Sequence, residues 1–229
     1  MIVIPTYDGY WQLTRLIKGL ETFGTNGHKV VIMDDGTKDM VSVKYLDQLR
    51  AYTGNFDIVI HKADHKFGYE AGALVHAVRL HPEEETALLI QDSCVPLSDK
   101  WFTQFEEKLT PKVGAVTWVK FRPCLFFCGP DHLAYIDEVA GGHSNVPDGG
   151  FFGNIHYTYT SIVRDLDSKG YFTNLPKKKM HSECWERLWP IIYHIEGYKL
   201  ACIIDEFNPN SIHNGMYPHF KKTFAGRQG

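Results

Sequence analysis

Ala87-Leu88-Leu89-Ile90-Gln91-Asp92-Ser93-Cys94-Val95-Pro96 is an apolar run that stops at a carboxylate. Bounded by Glu84 and Glu85 before it and Pro96 at its end, it reads as a buried strand whose end carries Asp92 out of the sheet. Ligands of open α/β sheets bind just beyond the carboxyl ends of strands, so Asp92 stands where a nucleotide or its metal would sit. A competing reading makes Asp92 a cap for a helix beginning near Ser98, because Asp is common at turns. The remainder of the chain decides between them.

Towards the amino terminus the same pattern repeats. Residues 1–4 form a short apolar strand closed by the turn Pro5-Thr6-Tyr7-Asp8-Gly9, and a helix follows with Tyr10, Leu13, Leu16, Ile17 and Leu20 at helical spacing. Residues 29–33 are a second strand running into Asp34-Asp35-Gly36-Thr37. A helix carrying Val43, Leu46, Leu49 and Tyr52 leads from there to a third strand at 56–60. A third helix, 68–80, opens with Gly68, Ala71, Gly72 and Ala73, small enough to pack close to a sheet or a ligand. Strand and helix alternating in this way require right-handed crossovers and a parallel sheet. Towards the carboxyl terminus we expect a helix at 100–109 with Trp101, Phe102, Phe105 and Leu109 inward, then a strand at 114–119. The pattern then loosens into a glycine-rich loop at 141–153, of a kind that serves a site or is mobile. Helices at 159–168 and 183–195 and a strand at 199–204 complete the reading.

Composition narrows the class. With 229 residues, 44% of them hydrophobic and 14% aromatic, the chain can bury one substantial core, so a single domain over 1–229 is expected. A net charge of −3 gives no electrostatic footprint for nucleic acid. The five cysteines are odd in number and lack paired zinc spacing, Cys124 and Cys128 alone making no metal site; reduced thiols in a cytoplasmic protein are expected. No apolar run approaches the roughly 18 residues that span a bilayer, and since Met1 leads straight into a strand no signal peptide is expected.

Three strand-end motifs, Ile2-Val3-Ile4-Pro5-Thr6-Tyr7, Val31-Ile32-Met33-Asp34-Asp35-Gly36-Thr37 and the run ending at Asp92, together resemble the nucleotide-binding half of a GT-A glycosyltransferase, particularly of the family 2 type. The resemblance covers residues 1–120, with a weaker echo at 182–199. It implies an α/β fold, a Rossmann-like three-layer sandwich around a central mixed, mostly parallel sheet. Residues 1–120 would bind a nucleotide-diphosphate sugar and 121–229 the acceptor. The implied reaction transfers the sugar to a hydroxyl of a glycan or other acceptor, with inversion and the help of a divalent metal, Mn or Mg. Two rivals are a non-catalytic nucleotide-sugar or glycan-binding module and a sugar nucleotidyltransferase. The latter normally carries a glycine- and arginine-rich first turn, which Pro5-Thr6-Tyr7-Asp8-Gly9 is not.

The resemblance also assigns roles. Pro5, Thr6 and Tyr7 would lie against the nucleoside, with Tyr7 offering a flat face and a hydroxyl, unless it is a half-buried turn tyrosine. Asp35 matches the carboxylate that accepts an N–H of the base, a strongly discriminating bond, while Asp34 either joins it or shapes the turn. Lys66, just before Gly68, would meet the diphosphate together with backbone N–H groups, unless it is a solvated loop lysine. The family's metal motif is Asp-x-Asp, and here Gln91, Asp92 and Ser93 occupy its three positions. Asp92 remains as a metal ligand, and His213 resembles a carboxyl-terminal histidine that some GT-A enzymes add to it. Glu183 matches the general base of the inverting members and Glu186 is its neighbour one turn along; both alternatively are ordinary first-turn residues favoured by the helix dipole. Aromatic residues at Phe151, Phe152, Trp185 and Trp189 would stack on a sugar or belong to the core. Lys177-Lys178-Lys179 is a solvated turn or attracts an anionic acceptor.

Overall fold

A computed structural model describes residues 1–63, 67–121, 128–142, 150–204 and 219–222. The alternation expected at the amino terminus is there: β1 (Ile2–Thr6), α1 (Tyr10–Phe23), β2 (Val30–Asp34), α2 (Met40–Arg50), β3 (Ile58–Lys62), α3 (Tyr69–Leu80) and β4 (Thr86–Leu89). After a turn at Gln91–Ser93 come β5 (Cys94–Pro96), the short α4 (Thr103–Glu106), β6 (Val113–Phe121) and α5 (Pro130–Ala140). Two strands, β7 (Gly150–Phe151) and β8 (His156–Tyr159), flank a single 3₁₀ turn, and α6 (Thr160–Ser168), α7 (Lys179–Ile195), β9 (Lys199–Ile204) and β10 (Phe220–Lys222) complete the described chain.

The main sheet runs β3-β2-β1-β4-β8-β6, with β7 and β9 also paired to β6. Pairings β1–β2, β2–β3, β1–β4 and β6–β9 are parallel, and β4–β8, β6–β8 and β6–β7 are antiparallel. The mixed, mostly parallel sheet is thus the expected one. Its two faces follow from strand periodicity, in which neighbouring side chains point to opposite sides. Met1 and Val3 enter one core with α3, α5, α6 and α7, while Ile2 and Ile4 enter the other with Leu13, Leu16 and Ile17 of α1 and Leu46 and Leu49 of α2. Helices therefore cover both faces, giving three layers.

Several local expectations shift. The run at 87–96 is two strands, not one: β4 ends at Leu89, and Cys94–Pro96 turns away to pair antiparallel with β10. The helix at 100–109 contracts to four residues, although Trp101, Phe102 and Phe105 are fully buried as expected. In the irregular region, α5, β7 and β8 emerge from sequence that showed no clear period, and residues 143–149 lie outside the described residues. Trp185 and Trp189, together with Phe151, prove to be core: all are essentially inaccessible, with Trp185 against Trp189 at 5.1 Å and Trp189 against His156 at 4.7 Å. No helix among the described residues is long and apolar enough to cross a membrane.

Candidate active site

A cleft of about 570 Å³ opens at the carboxyl ends of β1, β2 and β4. It gathers Pro5, Thr6 and Tyr7 from the first strand end, Asp35 from the second, and Gln91, Asp92 and Ser93 from the fourth. Glu183 and Glu186 of α7 join them. Residues separated by more than 170 positions in sequence thus meet where the sheet's topology puts ligands. The rest of the assigned set divides. Asp34 is buried and its Oδ1 accepts the Thr37 N–H at 2.8 Å, which holds the turn. Gly68 is the left-handed cap of α3, at φ 101°, where a β-carbon would come within 3.2 Å of Leu175 and 3.3 Å of the Pro176 carbonyl. Lys66 and His213 lie outside the described residues.

Each side chain is held by a local cause. The β1 turn needs Asp8 at φ 50°, and the Asp8 carboxylate fastens it by accepting the Lys38 and Asp39 N–H groups at 2.7 and 2.8 Å. Thr6 Oγ1 donates to Asp92 Oδ2 at 3.1 Å, tying the first strand end to the fourth. Gly9 is dictated by that contact, since a β-carbon there would stand 2.3 Å from Asp92 Oδ2. Asp35 Oδ1 accepts the Phe67 N–H at the approach to α3. Tyr7, half exposed, forms part of the cleft wall.

The sequence reading missed the buttress of the site, Glu70. It lies in the first turn of α3 and accepts from Gln91 Nε2 at 2.7 Å and from Ser182 Oγ at 2.5 Å, linking α3, the β4 end and α7. A carboxylate near a helix start is a weak signal by itself, and its partners lie 21 and 112 residues away. Also missed was Lys222, at the end of β10 and lining the cleft.

Two carboxyl groups of the cleft are raised. Burial pushes Asp92 up to about 6; the nearby Glu70 charge adds to this, and the Thr6 hydrogen bond, the Ser93 backbone and Lys222 oppose it. Burial likewise pushes Glu186 up to about 6, opposed by Lys222, Arg187 and the Gly153 N–H, with Glu70 again raising it. Gly153 donates to Glu186 Oε1 at 3.1 Å. The Glu186 side chain keeps 23% exposure, whereas Glu183 is 49% exposed with His132 Nε2 3.9 Å away. Pro190, one turn after Glu186, lacks the N–H that would bond the Glu186 carbonyl.

A divalent ion does not fit the described donor set. Among the described residues no three His, Cys, Asp or Glu side chains converge on one point. Of the three motif positions Asp92 alone is a carboxylate. The Gln91 amide is fixed by its donation to Glu70, and its oxygen faces the position near Gly153 that the Lys222 ammonium also faces. Hard cations favour several oxygen ligands, usually including carboxylates, and an ammonium in the same space repels them.

No protein-family model matches the chain, and no curated protein gives a significant sequence match. Solved structures do match. The chain superposes on the mannosyltransferase PcManGT from Pyrobaculum calidifontis, in complex with GDP-Man and Mn2+, with a TM-score of 0.59 at 16% identity, over 89% of this chain and 54% of that one. For S. aureus TarS 1–349 the TM-score is 0.57 at 12% identity, over 97% of this chain and 59% of that one. The WbbM bifunctional glycosyltransferase gives 0.50 at 13% identity, over 88% and 38%. The chain therefore has the GT-A-like fold of glycosyltransferases, and it spans little more than half the length of the first two structures.

Proposed function

We propose that this chain is a nucleotide-sugar-dependent glycosyltransferase of the family 2 type, transferring a sugar with inversion to a hydroxyl of a glycan or other acceptor. The observation that carries this reading is the convergence of Thr6, Tyr7, Asp35, Asp92 and Glu186 on one cleft at the strand ends of a glycosyltransferase fold. Residues 1–120 act as the donor half and 121–229 as the acceptor half of one domain. Tyr7 covers the nucleoside and Asp35 accepts an N–H of its base. The acceptor hydroxyl attacks the anomeric carbon and gives its proton to a carboxylate of α7. The new C–O bond forms as the bond to the diphosphate breaks, and that electron pair leaves on the diphosphate. Glu186 is the base in this reading, because a carboxyl raised to about 6 is ionised at neutral pH yet basic enough to take a proton. Glu183, at the open side, contacts the incoming acceptor. No step passes through a divalent ion.

The test is incubation with a panel of nucleotide-sugars and simple glycan acceptors. Nucleoside diphosphate should be released in step with a glycosylated product whose anomeric configuration, read by NMR, is opposite to the donor's. Binding of nucleotide-sugar with no release under any acceptor would instead indicate a binding module.

Two variants probe the donor site. Asp35→Asn keeps an oxygen for the Phe67 N–H but loses the charge, and should weaken donor binding by about 1.5–3 kcal/mol in calorimetry. Gly9→Ala has an ordinary backbone angle, so its effect comes from the added methyl pushing on Asp92. Turnover should fall at least about tenfold as Asp92 is displaced, with a loss of about 1–3 kcal/mol of thermal stability from the crowding.

A further inference from the structure

The cleft is rich in negative charge, with Asp8, Asp35, Glu70, Asp92, Glu183 and Glu186 on its walls. A donor that brings two phosphates into it needs positive charge at the point where the diphosphate lies. Among the described lining residues the cationic side chains are Lys179 and Lys222. Lys179 is exposed at the start of α7. Lys222 is set deeper. β10 pairs antiparallel with β5, with Lys222 opposite Cys94, two residues beyond Asp92. The strand is anchored by Phe220, fully buried, stacked on Trp101 at 5.8 Å and edge-on to Trp118 at 4.9 Å. Side chains two apart share a strand face, so Phe220 in the core fixes where Lys222 emerges. A β-carbon on Gly153 would lie 2.6 Å from Lys222 Nζ and 3.1 Å from Gln91 Oε1, which brings the ammonium beside the first position of the Asp-x-Asp pattern. Its charge acts on Asp92 and on Glu186 alike.

The charge arithmetic explains the departed motif. Two carboxylates with a divalent cation, or one carboxylate with one ammonium, leave the same net charge at the strand end. Gln91 in place of an acidic residue is the change that the second arrangement requires. We propose that the Lys222 ammonium binds the diphosphate of the donor and, beside Asp92, supplies the positive charge that a divalent ion supplies in an Asp-x-Asp site. This rests on the donor reading above.

The experiment measures binding of UDP, GDP, ADP, CDP and TDP, each beside its parent nucleoside, to the full chain by calorimetry in excess EDTA and again in Mn2+. Wild type should bind one of the diphosphates in EDTA, and the affinity should fall as salt is raised. Lys222→Met should weaken that diphosphate at least about tenfold while leaving the parent nucleoside within about twofold, and Lys222→Arg should retain most of the affinity. Wild-type-like diphosphate binding by a folded Lys222→Met overturns the proposal. So does wild-type binding that appears only with Mn2+, an arm that needs no variant, and either result leaves the donor reading standing. Failure of every nucleoside diphosphate to bind wild type in both conditions overturns the donor reading itself, and this inference with it.

Discussion

Asp92→Asn is expected to lose sugar transfer and, at the same time, to unfold at a higher temperature than wild type at pH 7.5. Both effects follow from where the carboxylate stands. It is walled in by Thr6, Gly9 and the β4 end, close to Glu70, and its carboxyl is held up at about 6 instead of the ordinary 3.8. A carboxyl whose folded value is raised binds its proton more tightly when folded, so the ionised form costs stability. The cost is absent below the unfolded value, grows as pH rises from there towards the folded value near 6, and is complete above it. At pH 7.5 it amounts to at most about 3 kcal/mol, less whatever water in the open cleft screens. Asn keeps an oxygen for Thr6 Oγ1 and carries no charge. At this chain length each kcal/mol moves the melting temperature by about 2–4 °C, so a rise of about 5 °C is expected in scanning fluorimetry. The gap should narrow at pH 5 and close as pH falls to the unfolded value, where both the folded and the unfolded carboxyl hold their proton. Turnover should fall by about 10²-fold or more, since the lost charge is the one beside Lys222 that holds this counter-cation where the diphosphate departs. A variant with normal turnover would remove Asp92 from the reaction, and one that melts lower at pH 7.5 would remove the argument from burial.

That a residue should harm the fold and serve the site explains why some of this protein was legible in its sequence and some was not. The strand ends carrying Tyr7, Asp35 and Asp92 could be read because each is a local event, an apolar run broken by a polar turn, and β1, β2 and β4 fall within two or three residues of where those runs lie. The helices before residue 81 could be read from the spacing of Leu13, Leu16 and Leu20 and of Leu46 and Leu49. What failed was whatever depends on distant partners. β8 is His-Tyr-Thr-Tyr, with an imidazole and two hydroxyls on its buried residues; Thr158 Oγ1 is satisfied by Gly114, 44 residues away, and accepts from Tyr193 at 2.9 Å, so polar residues sit in a central strand without a local signature. β10 is three residues long and exists because β5 offers it an edge. Trp185 and Trp189 show the limit of periodicity: one helical turn apart, they form a stripe that fits a core or a sugar platform equally, and only the surrounding Phe172, His156 and Tyr193 decide for the core. Glu70 and Lys222 were invisible for the same reason, their roles being set by Gln91, Ser182 and Gly153.

Glu186→Gln is expected to cost at least about 10²-fold in kcat, with donor affinity nearly unchanged, and Glu183→Gln to cost little in kcat and to act through the acceptor's KM. The sequence resemblance put Glu183 first; burial supports the reverse order. Glu183 is half exposed beside His132, in surroundings close to those of any surface glutamate. Glu186 faces the same cleft from one turn further along, oriented by the Gly153 N–H and pushed up to about 6 chiefly by burial. Gln preserves its size and can still accept from Gly153, but it cannot take a proton. A base must be ionised to act, so wild-type kcat/KM should fall as pH drops through about 6. Asp92 titrates in the same region, and the assignment therefore rests on the variants: in Glu186→Gln the residual rate should be low and flat where Asp92 stays ionised, above about pH 7, while Glu183→Gln should retain the wild-type limb. A large kcat defect confined to Glu183→Gln would return the base to the open side of the cleft. Glu186 would then be a buried charge whose work is to hold Gly153 and the Lys222 strand end in register.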